Sequence, residues 1–322
     1  IEMEVVMSFK NITVAGGGVL GSQIAFQTAF SGFSVKIWLR SEDSIQRTKP
    51  KLERLYTIYK NELTEAKKNL GKGLSFSRGL IPDSSSVTEA DIDKLLENVE
   101  RAHKDILLTT DLSEACKDAD LIIESMAENP EAKREFYKAI DPFLSENTIV
   151  ATNSSSMVPS QFRDCLSRPE NYLAIHFANN IWKSNTAEIM GHDGTSKEAY
   201  EAVANFASEI KMIPLRLHKE QPGYILNSML IPFLSAGEML LAKEVADPAT
   251  IDLTWRLGTG SPLGPFQILD IVGLTTAYNI VILNPAAKDP NSVQGKIAAT
   301  LKEKIDQGKT GVNAGEGFYK YK

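Results

Sequence analysis

Only two cysteines, Cys116 and Cys165, and four histidines occur among the 322 residues. Two thiols build neither a disulfide framework nor the clustered spacing of a structural zinc site, so a reducing compartment and no metal are expected. Basic residues are not in excess either. With 35 Lys and Arg against 41 Asp and Glu the net charge is -6, which argues against nucleic acid as a general partner. No apolar run reaches the length of a membrane span, and the opening IEMEVV carries two acids where a signal peptide would be apolar. Residues 1–7 are expected to be a disordered or expression-derived leader, with Met7 as the natural start. The protein is expected in the cytoplasm, with no membrane partner.

What the chain does have is length and alternation. A chain of 322 residues with 43% hydrophobic and 24% charged content suits an ordinary globular protein of two domains. Short apolar runs at 12–15, 35–39, 106–109, 121–124 and 148–152 alternate with helix-like stretches such as 130–144. That rhythm predicts a doubly wound, mostly parallel sheet of Rossmann type. Residues 46–104 break the rhythm with two charged helical patterns around a turn-rich centre, and read as a helical hairpin inserted beside the sheet and standing off it. From Tyr224 onward only helical periodicity remains. The polar LHKEQPG at 217–223 marks the boundary. The expected organisation is therefore an α/β dinucleotide-binding domain over 8–218, with the hairpin at about 46–104, and an all-α domain over 222–322. Apolar helical stretches such as 225–241 and 268–282 call for a partner surface, and a homodimer is the commonest solution.

The segment VAGGGVLGSQ (14–23) places glycines at GxGxxG spacing between a predicted strand and a predicted helix, the context a dinucleotide fingerprint requires. Gly16 would form the tight turn, Gly18 would admit the pyrophosphate, and Gly21 would allow close helix packing. Val19 and Leu20 would carry the helix N-terminus toward the phosphates. A structural βα turn or a mononucleotide site is the plainer alternative. The acid that ordinarily ends the second strand and holds the ribose is missing: its place falls on Leu39, followed by Arg40 and Ser41. An arginine there suits the 2′-phosphate of NADP, with NAD use possible. Alternatively Arg40 is a solvated loop residue and Glu42 or Asp43 holds the ribose.

Asn153, Ser154, Ser155 and Ser156 follow an apolar strand, at the end where ligands of parallel sheets bind, and Asn153 is expected to touch the cofactor; an N-cap role is the simpler reading for any one serine. His176 alone among the histidines follows an apolar strand-like run, and Glu188 sits in the next run. Two such runs can pair as neighbouring strands and set a carboxylate beside an imidazole, which makes a general acid/base. A lone buried histidine would otherwise be a core residue.

The order of these pieces resembles the L-3-hydroxyacyl-CoA dehydrogenases, and especially the diketoreductase-like group of their superfamily, over essentially the whole chain. The resemblance is carried by GGGVLG (16–21), IIESMAEN (122–129), TNSSS (152–156), HFAN (176–179), PGYILN (222–227), GPFQILDIVGL (264–274) and GEGFYKY (315–321). It implies that His176 is the catalytic base and Glu188 its carboxylate partner. It implies that Ser155 and Asn227 hydrogen-bond the substrate oxygen, that Asn179 supports the site, and that Glu128 and Lys133 reach the nicotinamide ribose. The implied reaction interconverts a short-chain 3-hydroxyacyl-CoA and its 3-oxo form, with the C-terminal helices forming a dimer. Where many members have HFFNP, this chain has HFANN followed by Ile181 and Trp182. Trp182 either walls an unusual acyl pocket or packs in the core. Lys60, Lys67, Lys68, Lys72 and Arg78 of the hairpin either grip a CoA phosphate or form a solvated face. A CoA-free 3-oxo ester or 3-hydroxy acid is thus the alternative substrate. A non-catalytic nucleotide-binding structural protein, as in the lens crystallin of this superfamily, is the reading from another class.

Overall fold

The computed structural model describes residues 9–321, so the expected leader at 1–7 lies outside the described residues. The chain divides into two compact units, one running to Ile225 and the other Leu226–Lys322.

The first unit is built on an eight-stranded sheet of order β3-β2-β1-β4-β5-β6-β7-β8. Its strands are β1 (Asn11–Ala15), β2 (Ser34–Trp38), β3 (Leu107–Thr109), β4 (Leu121–Glu124), β5 (Ile149–Thr152), β6 (Tyr172–Phe177), β7 (Thr186–Gly191) and β8 (Ile213–Arg216). All neighbours pair in parallel except β6 and β7. β4, β5 and β6 are buried at every residue, as expected of parallel strands covered on both faces. Chain order reverses at β1 and β4, and at such a switch point the loops leave a crevice beyond the strand ends. The short β8 (IPLR) escaped the sequence reading because its apolar content is too slight to stand out.

The hairpin consists of α2 (Glu42–Lys68) and α3 (Glu89–Asp105). It does not stand off. Leu52, Leu55, Tyr59 and Leu63 of α2 join the same core as Phe26 and Phe30 of α1 (Val19–Phe30), and Tyr59 donates its hydroxyl to the buried Gln27 at 2.6 Å. α3 begins with a capping box, Thr88 and Asp91 satisfying each other's backbone donors. Helices α4 (Leu112–Cys116), α5 (Pro130–Ile140) and α6 (Lys197–Glu209) complete the crossovers. Asn129 caps α5 and Pro130 occupies its first turn, where a missing N–H costs nothing.

The second unit holds α7 (Tyr224–Ala242, whose first two residues precede the division), α8 (Pro248–Thr259), α9 (Pro265–Val272), α10 (Leu274–Val281) and α11 (Val293–Asp306). The expected helix at 268–282 is two helices, broken where Gly273 adopts φ +94°. By length and composition α7 is apolar enough to cross a bilayer, although Asn227, Ser228, Ser235 and Glu238 interrupt its apolar runs. Here Leu234 and Ala242 pack into a core with Ile251, Phe266 and Leu269. Two buried aspartates fasten this unit. Asp252 accepts from the N–H groups of Phe266 and Gln267 at the start of α9, while Asp270 accepts from the N–H groups of Phe318 and Tyr319 and from the Tyr321 hydroxyl.

Candidate active site

The glycine loop joins β1 to α1 at the switch point. Gly16 has φ +118°, and a Cβ there would lie 2.4 Å from the carbonyl oxygen of Ser125; a Cβ on Gly21 would lie 2.1 Å from that of Gly16. Both glycines are therefore demanded by close backbone approach. Gly18 differs: nothing lies within 4 Å of its added Cβ, so it faces open space. No side chain caps α1 and its first turn holds no acid, which leaves the positive end of the helix for an anion. These features fit a dinucleotide pyrophosphate. Val19, 65% exposed, and Leu20 enter the helix beside the opening.

A cavity of about 260 Å³ extends from the loop toward the end of β2 and the first turns of α2. Leu39 and Arg40 line it, together with Ser44, Arg47, Thr48 and Lys51. Glu42 and Asp43 are exposed and do not line it. Ser41 serves as the N-cap of α2, accepting from the Ser44 N–H at 3.3 Å.

The acid/base candidates meet through strand pairing. β6 and β7 are antiparallel with His176 directly opposite Glu188. Glu188 Oε2 lies 3.0 Å from His176 Nδ1, and its Oε1 accepts from the Ile225 N–H at 2.9 Å. An ionised carboxylate only accepts, so Nδ1 carries the proton and Nε2 is left as the acceptor. Ser155 Oγ stands 3.1 Å from Nε2. One face of the imidazole is covered by Tyr224, with ring centroids 4.4 Å apart and planes 12° from parallel. The Tyr224 hydroxyl donates to the carbonyl of Ser154 at 2.8 Å, and burial pushes its ionisation far up. This tyrosine escaped notice in the sequence, although PGYILN contains it. His192 also ends an apolar strand, contrary to the count that singled out His176, but Pro169 O and the Gly194 N–H occupy its two nitrogens.

Around this pair the other expected residues fall as follows. Asn153 is buried, accepting from the Phe177 N–H at 3.0 Å and reaching Ser125 Oγ at 3.3 Å, so it ties β5, β6 and the loop after β4 together. Glu128 Oε2 accepts from both Ser154 and Ser156 at 2.7 Å. Lys133 is fully buried, its ammonium 2.6 Å from Glu124 and 3.7 Å from Glu128. Glu124 also accepts from Tyr137, Thr152 and the Met126 N–H, a four-donor arrangement that keeps the buried pair satisfied. Asn179 is exposed on the loop after β6. Asn227 stands on the first turn of α7, in the second unit.

Trp182 resolves into the plainer alternative, and the hairpin cations do so in part. Trp182 packs in the core, its ring 5.9 Å from that of Tyr59 and its carbonyl accepting from the Gly79 N–H. On the hairpin, Lys60 pairs with Glu100, Lys67 with Glu89 and Asp93, and Lys68 with Glu65, so three of the five cations proposed for a CoA phosphate are neutralised locally.

The 3-hydroxyacyl-CoA dehydrogenase NAD-binding domain matches residues 11–221, and the C-terminal domain of the same enzymes matches 223–321. The chain is 29% identical to the human mitochondrial hydroxyacyl-coenzyme A dehydrogenase, covering 97% of this chain and 91% of that one. It is 28% identical to a probable 3-hydroxybutyryl-CoA dehydrogenase of Bacillus subtilis over 98% of both chains. Among solved structures, a diketoreductase described as acting on dicarbonyl compounds is 42% identical with a TM-score of 0.83, covering 98% of this chain and 100% of that one. With both domains matched in order along its length, the chain belongs to the 3-hydroxyacyl-CoA dehydrogenase family.

Proposed function

We propose that this protein interconverts a short-chain 3-hydroxyacyl-CoA and the corresponding 3-oxoacyl-CoA, with NADP as the preferred nicotinamide cofactor. The observation that carries the reading is the Ser155–His176–Glu188 line at the crevice end of β5, β6 and β7. A bound nicotinamide supplies the acceptor and donor of hydride. In oxidation His176 Nε2 takes the hydroxyl proton; in reduction the imidazolium returns it to the carbonyl oxygen. Ser155 marks where that oxygen sits and donates to it as its charge changes, and Asn227 is assigned the same oxygen. Glu188 holds the tautomer and balances the imidazolium, while its second oxygen, tied to Ile225, prevents rotation. Glu128, oriented by Ser154 and Ser156, is assigned to the nicotinamide ribose, and Lys133, expected to reach it too but fully buried on Glu124, is assigned to back Glu128 from 3.7 Å. Asn179 supports the loop beside His176.

NADP preference rests on Leu39, buried at the position of the ribose acid, and on Arg40 at the cavity wall. A second substrate reading, a CoA-free 3-oxo ester or diketo compound, is favoured by the 42% identity to the diketoreductase and by the internally paired hairpin lysines. The apolar side chains exposed on the second unit support a homodimer through these helices: Met229 is 70%, Leu257 77% and Leu283 79% exposed.

Initial rates with acetoacetyl-CoA and with ethyl acetoacetate, each with NADPH and NADH, test the reading. The thioester with NADPH should give the highest kcat/KM. His176→Asn should lower turnover by about 10² to 10⁴ while still binding cofactor. Near-normal turnover of His176→Asn would remove the mechanism. The double change Leu39→Asp/Arg40→Ala should shift preference toward NADH.

A further inference from the structure

The cavity beside the glycine loop has a wall that no pairing in the active site uses. Ser44, Arg47, Thr48 and Lys51 stand at i, i+3, i+4 and i+7 on α2 and form one stripe. Thr48 docks that stripe onto the loop, its hydroxyl 3.3 Å from the carbonyl of Gly17 and 2.8 Å from that of Ser44. Helical side chains lean toward the N-terminus, so Arg47 leans over Ser44 in the first turn and Lys51 over Arg47. Arg47 Nη2 donates to Ser44 Oγ at 2.9 Å, Ser44 Oγ is 3.1 Å from Ser41 Oγ, and Lys51 Nζ donates to the Arg47 carbonyl at 2.7 Å. Arg40 enters the same cavity from the end of β2.

The second observation is charge. Further along α2, Lys60, Lys67 and Lys68 are met by carboxylates, whereas Lys49 and Arg54 are not and do not line the cavity. Among the described residues, Arg40, Arg47 and Lys51 line one cavity and none of them is paired with a carboxylate. Three cations without a carboxylate partner lining one cavity beside Ser44 and Thr48 give it a positive wall suited to an anion. Glu42 and Asp43, which follow Arg40 and Ser41 in the chain, are exposed and outside the cavity. The buried Leu39 supplies no negative charge to repel a ligand anion.

We infer that Arg47 and Lys51, with Ser44 and Arg40, form a phosphomonoester subsite that takes the adenosine 2′-phosphate and decides cofactor specificity. The inference rests on the NADP reading above and extends it from the strand end to the helix. Arg47 offers the fork that matches a phosphate and Lys51 a point charge. The same chemistry could be presented by the 3′-phosphate of CoA or by free phosphate, and the ligands below separate these sources.

Calorimetric titration of the full chain with adenosine 2′,5′-bisphosphate, adenosine 3′,5′-bisphosphate, 5′-AMP and inorganic phosphate tests it without turnover. Wild type should bind the 2′,5′-bisphosphate at least about tenfold more tightly than 5′-AMP, with the advantage falling as salt rises. Arg47→Ala/Lys51→Ala should abolish most of that advantage and leave the 5′-AMP and NAD affinities within about twofold. Arg47→Lys should recover part of it. Both residues are helical and at the surface or half-buried, and a thermal melt of each variant checks folding. Tighter binding of the 3′,5′-bisphosphate, or equal binding of all four ligands, would overturn the 2′-phosphate assignment together with the NADP reading. A wild-type 2′-phosphate preference that survives in Arg47→Ala/Lys51→Ala would overturn this inference alone and leave Arg40 as the determinant.

Discussion

Replacing Glu188 with glutamine probes the proton machinery at its narrowest point. The carboxylate serves two donors at once: Oε2 takes the imidazole Nδ1–H at 3.0 Å, and Oε1 takes the Ile225 N–H at 2.9 Å. His176 and Glu188 are buried, so water cannot substitute at the imidazole bond. An amide of the same shape has one acceptor and one donor group. If its oxygen stays with Ile225, the NH2 faces Nδ1, and the imidazole must move its proton to Nε2, where it can no longer accept from substrate. If its oxygen turns to Nδ1, the NH2 confronts the Ile225 N–H and a charge-assisted bond is lost, typically about 1.5–3 kcal/mol or roughly 10- to 150-fold. The first arrangement removes the base itself, for which about 10² to 10⁴ is the usual loss. Glu188→Gln should therefore lower kcat by between about 10-fold and 10⁴-fold, with KM and cofactor affinity within a few-fold. The assay is initial-rate absorbance of NADPH with acetoacetyl-CoA, accompanied by a melt to confirm folding. A folded variant with kcat within threefold of wild type would refute the assigned role.

Tyr224→Leu removes the ring that covers the imidazole, whereas Tyr224→Phe keeps the ring and deletes the hydroxyl with its bond to Ser154. A ring over a cation contributes about 0.5–2 kcal/mol, so kcat should fall roughly 2- to 30-fold in the leucine variant and recover in the phenylalanine one, with KM little changed. Equal losses in both would mean that the hydroxyl, not the ring, matters. In the second unit, Glu238 is buried with Oε1 unpartnered, and burial pushes its carboxyl up to about 7. A raised folded value means the stability it allows is complete below the unfolded carboxyl value near 4.3 and is lost as pH rises through about 7. Glu238→Gln should therefore gain up to roughly 3 kcal/mol over wild type between pH 5 and 8 by thermal or urea unfolding; a pH-independent difference would contradict this. Light scattering at micromolar concentration should give about twice the chain mass of 35.4 kDa, and a monomer throughout would remove the dimer.

Much of this protein was legible in one dimension because the relevant physics is local. The glycine loop lies within ten residues between a strand and a helix, so spacing alone reveals a backbone that must approach a phosphate. His176 and Glu188 occupy consecutive apolar runs, and antiparallel neighbours of that length meet by registry. The family motifs and the two-part organisation follow from the same contiguous signals. Other features needed the tertiary fold. Tyr224 reaches Ser154 across 70 positions, and only the folded chain lays its ring on His176. Trp182 stood beside the acid/base in the sequence, yet the loop after β6 turns it into the core with Tyr59 and Gly79. Arg47 and Lys51 looked like two more charges on a charged helix. The same stripe pattern describes a solvated face or a cavity wall. What distinguishes the two is whether a helix packs with its partners or its empty space beside those side chains, and that depends on Thr48 docking onto Gly17 from 31 positions away. Pattern along a chain records which face a residue shares, but only packing sets what that face meets.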